Sequence, residues 1–104
     1  MTEQELMQEF NYNGCDISAY LGKVEVVSTD ESKYIDGAKT AIATTRTFSC
    51  TNLLVFSKNF AYLAHMFPSE TVGMNNNFDN RISELKEIIN HFNPDEINVL
   101  ISLG

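Results

Sequence analysis

The strongest pattern of apolar positions lies in the last third of the chain, where Phe78, Ile82, Leu85, Ile89 and Phe92 recur at i, i+4, i+7, i+11 and i+14. Side chains at that spacing share one stripe, which predicts an amphipathic helix over residues 79–92. Asn93 and Pro94 end it, because proline has no N–H to carry the helical ladder onward. Arg81, Glu84, Lys86 and Glu87 then form a solvated face, and His91, opposite Ile89, faces water. Past the proline, Ile97, Val99, Ile101 and Leu103 alternate with other residues, the period of a strand.

Upstream, two apolar runs, 51–57 (TNLLVFS) and 60–67 (FAYLAHMF), flank Lys58-Asn59 and read as a hairpin. Leu53, Val55, Tyr62 and Met66 fall on one face of it, and Leu54, Phe56, Leu63 and Phe67 on the other. A hairpin apolar on both faces belongs between two layers. Residues 22–28 (GKVEVVS) and 40–45 (TAIATT) read as further strands by their β-branched content. The stretch 29–37 (TDESKYIDG) reads as a polar turn, and 69–77, with Gly73 and three consecutive Asn, as a connection that follows His65 directly. Residues 2–10 predict a short helix capped by Thr2 with Glu5 three positions later, the capping-box spacing. The expected order is a helical start, four strands, a long helix and a last strand. This is an α+β fold, a layered sandwich with a mostly antiparallel or mixed sheet.

Length and charge narrow the function. The 104 residues leave room for one domain over 1–104. Seven Lys+Arg against fourteen Asp+Glu give a formal charge of −7, which argues against nucleic acid and against an anionic membrane surface as partners. No apolar run approaches the roughly 20 residues that cross a bilayer, and the N-terminus lacks the order of a signal peptide, so a cytoplasmic protein is expected. Cys15 and Cys50 stand far apart, with no CxxC and no paired histidines. Neither a metal site, a cofactor nor a disulfide is therefore expected. Cys15, after Asn13-Gly14 and before a short helix from Asp16, reads as incidental.

Cys50 and His65 are the two side chains that combine reactive chemistry with a place in the apolar hairpin. With an even turn centred on Lys58-Asn59, Cys50 faces Phe67 and Asn52 faces His65. Cys50 and His65 then share a face as diagonal neighbours, with Cα atoms about 7–8 Å apart; an odd turn puts them on opposite faces. An imidazole that takes the thiol proton produces a thiolate, the form that attacks carbonyl carbon, and the imidazolium then protonates a leaving amine. Against this stands a plain alternative, a buried cysteine and a strand histidine that only pack.

The segment 42–68, IATTRTFSCTNLLVFSKNFAYLAHMFP, resembles the core of the CheD family of chemoreceptor glutamine deamidases. A Thr, a Ser-Cys pair opening a strand, and a His just before a Met/Leu-Pro ending recur there in this order. Here Thr44 stands six residues before Cys50, Ser49 precedes the cysteine, and Ala64-His65-Met66-Phe67-Pro68 closes the unit. The later helix and the strand INVLISLG follow the family's order, and LGKVEVVS looks like its first strand. The resemblance implies a CheD-like layered fold, shared with toxins of the cytotoxic necrotizing factor type. It further implies Cys50 as nucleophile, His65 as general base then acid, and Thr44 orienting the imidazole. Backbone N–H groups near Ser49 and Cys50 are the implied oxyanion donors. The implied reaction is hydrolysis of a protein glutamine side chain to glutamate on a chemoreceptor or another cytoplasmic protein, with a CheC-type phosphatase as a docking partner. A non-catalytic binding module on the same scaffold is the alternative. Two departures stand out: Thr45-Arg46-Thr47-Phe48 replaces the family's glycine-rich turn, and the chain is expected to be cut short of the family's Gly-Gly-Ala segment.

Overall fold

Thr2 caps the first helix, α1 (Glu3–Tyr12), by accepting the Glu5 N–H on its hydroxyl at 3.1 Å, while Glu3 and Glu5 put negative charge on the first turn. The computed structural model describes residues 2–36, 41–44, 50–67 and 77–103. Leu6 is the fully buried residue of α1; with Phe10 it packs on Val24 and Val26. Asn13 and Gly14, the latter at φ 82°, turn the chain out of the helix. The Asp16 carboxylate then accepts the Ser18 N–H at 2.9 Å and starts a single 3-10 turn, Ser18–Tyr20.

Six strands follow among the described residues: β1 (Val24–Val26), β2 (Glu31–Ile35), β3 (Ala41–Ala43), β4 (Thr51–Phe56), β5 (Ala61–Met66) and β6 (Asn98–Leu103). The second long helix, α2 (Asn77–Phe92), lies between β5 and β6 in the chain. β1 and β3 pair in parallel, while the other four form an antiparallel sheet in the order β2-β5-β4-β6. The α+β arrangement and the Lys58-Asn59 hairpin agree with the expectation, but the order has one strand more than expected.

That strand is β2, which lies inside the stretch read as a polar turn. Its residues show no apolar alternation because β2 is an edge. Ser32 and Tyr34 point to α2, and Glu31, Lys33 and Ile35 to the opposite side, so neither set is uniformly hydrophobic. The turn itself shrinks to a few residues around Asp30, which holds φ 62°, a left-handed conformation that Asp tolerates better than most side chains.

One face of the antiparallel sheet supports α2. Leu53, Val55, Tyr62, Ala64 and Met66 bury themselves against Leu85 and Ile88, with Ile89 and Phe92 packed at the margin. Phe92 stacks on Phe60 at 5.2 Å and meets Tyr34 edge-on at 6.0 Å. Arg81 departs from the expected solvated face, because it donates to Ser32 Oγ at 2.9 Å and to the Asp30 carbonyl at 2.9 Å. It pins α2 over the β2 side of the sheet. His91 is exposed, as expected. Asn93, at φ 44°, ends α2 with its N–H on the Ile89 carbonyl at 2.8 Å. Because α2 lies over β2 and β5, β6 stays uncovered, and Val99, Leu100 and Ile101 are 59%, 61% and 59% exposed.

The opposite sheet face looks toward β1 and β3, and α1 covers the far side of that pair. This second face is closed at one end and open at the other. Leu63 and His65 are buried, whereas Phe56, near the hairpin turn, is exposed beside a cavity of about 410 Å³ shared with Ile42 and Leu54. Neither α1 nor α2 is long and apolar enough to cross a membrane. The expected irregular stretch 69–77 lies outside the described residues except for Asn77, where α2 begins.

Candidate active site

The hairpin register places the reactive residues. Asn52 is paired with His65 and Thr51 with Met66, so the turn is even; Cys50 stands one residue before β4, and the alternation of that strand carried back to it assigns it the face of His65. The same face carries a polar row across all four strands, Glu31 on β2, His65 on β5, Asn52 on β4 and Ser102 on β6. Its middle is dry: His65 has no exposed surface, and Cys50 and Asn52 are each 8% exposed. Ser102, at the β6 end, is exposed.

Thr44 reaches this row from the end of β3. Parallel pairing ties β3 to β1, and the Val27 N–H on the Ala43 carbonyl at 2.8 Å extends the ladder by one step. Thr44 is thereby held with its hydroxyl 2.6 Å from the Val27 carbonyl and 2.8 Å from His65 Nδ1. A threonine hydroxyl has one hydrogen, and a carbonyl can only accept, so that hydrogen goes to Val27. Thr44 must then accept from His65, which puts the ring hydrogen on Nδ1 and leaves the lone pair on Nε2. The backbone is fixed as well, since the Asp30 N–H donates to the His65 carbonyl at 2.8 Å.

Electrostatics reinforce this tautomer. Burial holds the His65 imidazole below its ordinary pKa of 6.5, because a charged ring has lost its water, so the ring is neutral near pH 7. Nε2 is buried with no hydrogen-bond partner among the described residues, and so is Asn52 Oδ1. Glu31, opposite His65 on the β2 side, has its carboxylate held below the usual range by the Ser28 N–H at 2.8 Å. No cluster of metal-binding side chains occurs among the described residues.

Of the four residues singled out in the sequence, Thr44, Cys50 and His65 lie among the described residues and are placed toward one side of one sheet. Thr44 and His65 are in direct contact; Cys50 and His65 share a face, with no hydrogen bond from the thiol to Nε2. The fourth, Ser49, lies outside the described residues, as does the substituted turn 45–48. Cys15 is exposed, beyond the end of α1, with its N–H on the Phe10 carbonyl. Val27 and Glu31 were missed: the first acts through its backbone carbonyl, which no side-chain pattern reveals, and the second lay in the unrecognised strand. Asn52 was visible as the residue facing His65, but not as a buried group in want of a partner. A larger cavity of about 580 Å³ runs along the free edge of β2, lined by Glu25 and Lys33 on one side and by Glu84, His91 and Phe92 on the other, and lies away from this site.

No protein-family model, curated protein or solved structure matches this chain.

Proposed function

We propose that this chain is a CheD-like, cysteine-dependent protein glutamine deamidase, with Cys50 as nucleophile, His65 as base and acid, and Thr44 orienting the imidazole. One observation carries the reading: the Val27–Thr44–His65 relay holds Nδ1 and leaves Nε2 buried without a partner, on a residue that shares its sheet face with Cys50. A histidine that merely packs has no need of a fixed tautomer with its basic nitrogen left free. The layered α+β arrangement is also what the resemblance implies.

In this mechanism the Cys50 thiol gives its proton to Nε2, and Sγ bonds to the carbon of a glutamine side-chain amide. The carbonyl π pair moves onto oxygen, where backbone N–H groups near Ser49 and Cys50 receive it. The imidazolium returns the proton to the amide nitrogen as the C–N bond breaks, so ammonia leaves and a thioester remains. Water, deprotonated by the same Nε2, attacks the thioester and yields glutamate and the free thiol. The substrate is a chemoreceptor or another cytoplasmic protein, and a CheC-type phosphatase is the proposed docking partner.

A second reading, a CheD-like binding module without catalysis, draws on the missing hydrogen bond between Cys50 and His65. The pH dependence of Cys50 alkylation in a Cys15→Ser background separates the two. A thiolate that persists below the reference pKa of about 8.5 and disappears in His65→Ala supports the enzyme. An unreactive Cys50, or one indifferent to His65, overturns it in favour of the binding module.

A further inference from the structure

A buried carboxamide next to the free imidazole nitrogen suggests what the site reads. Asn52 is directly opposed to His65 in the hairpin register and lies two residues from Cys50 on the same face. Cross-strand partners of this kind have Cβ atoms about 4.5–5.5 Å apart, so a group bonded to Cys50 and approached by Nε2 also lies within reach of the Asn52 side chain. Asn52 is nine-tenths buried, and its Oδ1 has no hydrogen-bond partner among the described residues. Buried acceptors are rarely left unmet, because the water they gave up must be replaced by some donor. The other side chains of the row do not meet it: Thr44 points its hydrogen at Val27, the His65 ring hydrogen points at Thr44, Glu31 only accepts, and Ser102, opposite Asn52 on the exposed β6, makes no hydrogen bond to Oδ1.

We infer that Asn52 Oδ1 is the acceptor for the N–H₂ of a primary carboxamide, and that this contact makes the site select side-chain amides over esters of the same shape. The inference rests on the deamidase reading and names its specificity residue. Oδ1 takes one hydrogen of the nitrogen that will leave, which turns that nitrogen's developing lone pair toward the imidazolium on Nε2. An ester places an oxygen there, with no hydrogen to give, and strands Oδ1. A site built around a buried polar group rejects the analogue that cannot pair with it far more strongly than an apolar pocket rejects a change of size.

The test compares two probes of equal shape, a short peptide with an internal glutamine and the same peptide carrying glutamate γ-methyl ester. Both are assayed with the full chain and with Asn52→Leu, close in volume, and Asn52→Ser, which removes the carboxamide with less risk of overpacking. Folding of each variant is checked by circular dichroism and by retention of Cys50 alkylation. The expected result is a fall of about 10²-fold in the ratio of amide to ester kcat/KM, through the amide alone, with ester turnover held. Equal losses on both probes in a folded variant overturn the role of Asn52 and leave the deamidase reading standing. Turnover of neither probe by the unaltered protein overturns the deamidase reading, and this inference with it.

Discussion

Thr44 accepts a hydrogen bond from His65 and does not donate one, because the hydrogen of its hydroxyl lies on the Val27 carbonyl 2.6 Å away. The direction of that contact selects the ring tautomer. Thr44→Val keeps the shape and removes the acceptor, so the Nδ1-H form loses its advantage. On the proposed mechanism kcat/KM then falls about 10²-fold, the low end of what a positioned general base contributes. Thr44→Ser restores most of it. Ring ¹⁵N shifts of His65 report the tautomer directly, and an unchanged spectrum in Thr44→Val contradicts the relay.

The depressed pKa of His65 has a sign that can be measured. At pH values between the native pKa and 6.5 the unfolded chain binds a proton at this ring and the native protein does not. Stability is therefore complete above about pH 6.5 and is lost as pH falls through that window, and His65→Gln flattens the slope. Glu31, also depressed, adds a separate loss below its ordinary 4.5. Urea melts from about pH 2.5 to pH 7.5 resolve the two. The acid limb of kcat/KM should likewise lie below pH 6.5, since the neutral ring is the base; a limb above 6.5 contradicts this assignment.

Tyr62 is the counterpart at high pH. Burial pushes its phenol up to about 12, because a phenolate there loses its water, and the neighbouring Glu84 carboxylate adds to the rise. Its native pKa is raised, so its contribution to stability is whole below pH 10 and is lost as pH rises toward 12. In a spectrophotometric titration Tyr62→Phe should remove an ionisation near pH 12, and an unchanged curve in that variant contradicts the assignment.

Arg81 joins α2 to the turn that holds His65. Its guanidinium donates to Ser32 and to the Asp30 carbonyl, and the Asp30 N–H donates to the His65 carbonyl. Arg81→Ala should cost about 1.5–3 kcal/mol in a urea melt, the range for hydrogen bonds to a charged group. Arg81→Lys should recover little, because an ammonium cannot address two acceptors at fixed angles. A neutral Arg81→Ala contradicts the pinning of α2 through this residue.

The parts of this molecule legible in the sequence are those where one physical rule acts alone. Ile82, Leu85, Ile89 and Phe92 show the helix because only a 3.6-residue period places them together. The even turn at Lys58-Asn59 puts Cys50 and His65 on one face because a strand alternates without exception. β2 was hidden because Lys33 and Tyr34 owe their places to the edge of β5 rather than to burial. The Thr44 contact came from a family pattern, and its meaning depends on the Val27 carbonyl, a group every residue has. Asn52 illustrates the other limit: parity locates it, but only packing shows that its oxygen lacks a donor.

β5 pairs with β2 on one side and β4 on the other, and its side chains enter both layers, Tyr62, Ala64 and Met66 toward α2, Leu63 and His65 toward β1 and β3. Such a strand has no cheap way to open. Its amides should be among the slowest to exchange with deuterium, released by global unfolding rather than by local fluctuation. The imidazole is thus built into the part of the molecule that moves least, and any adjustment between a ligand and His65 has to be made by the ligand or by the segments around β5, never by β5 itself.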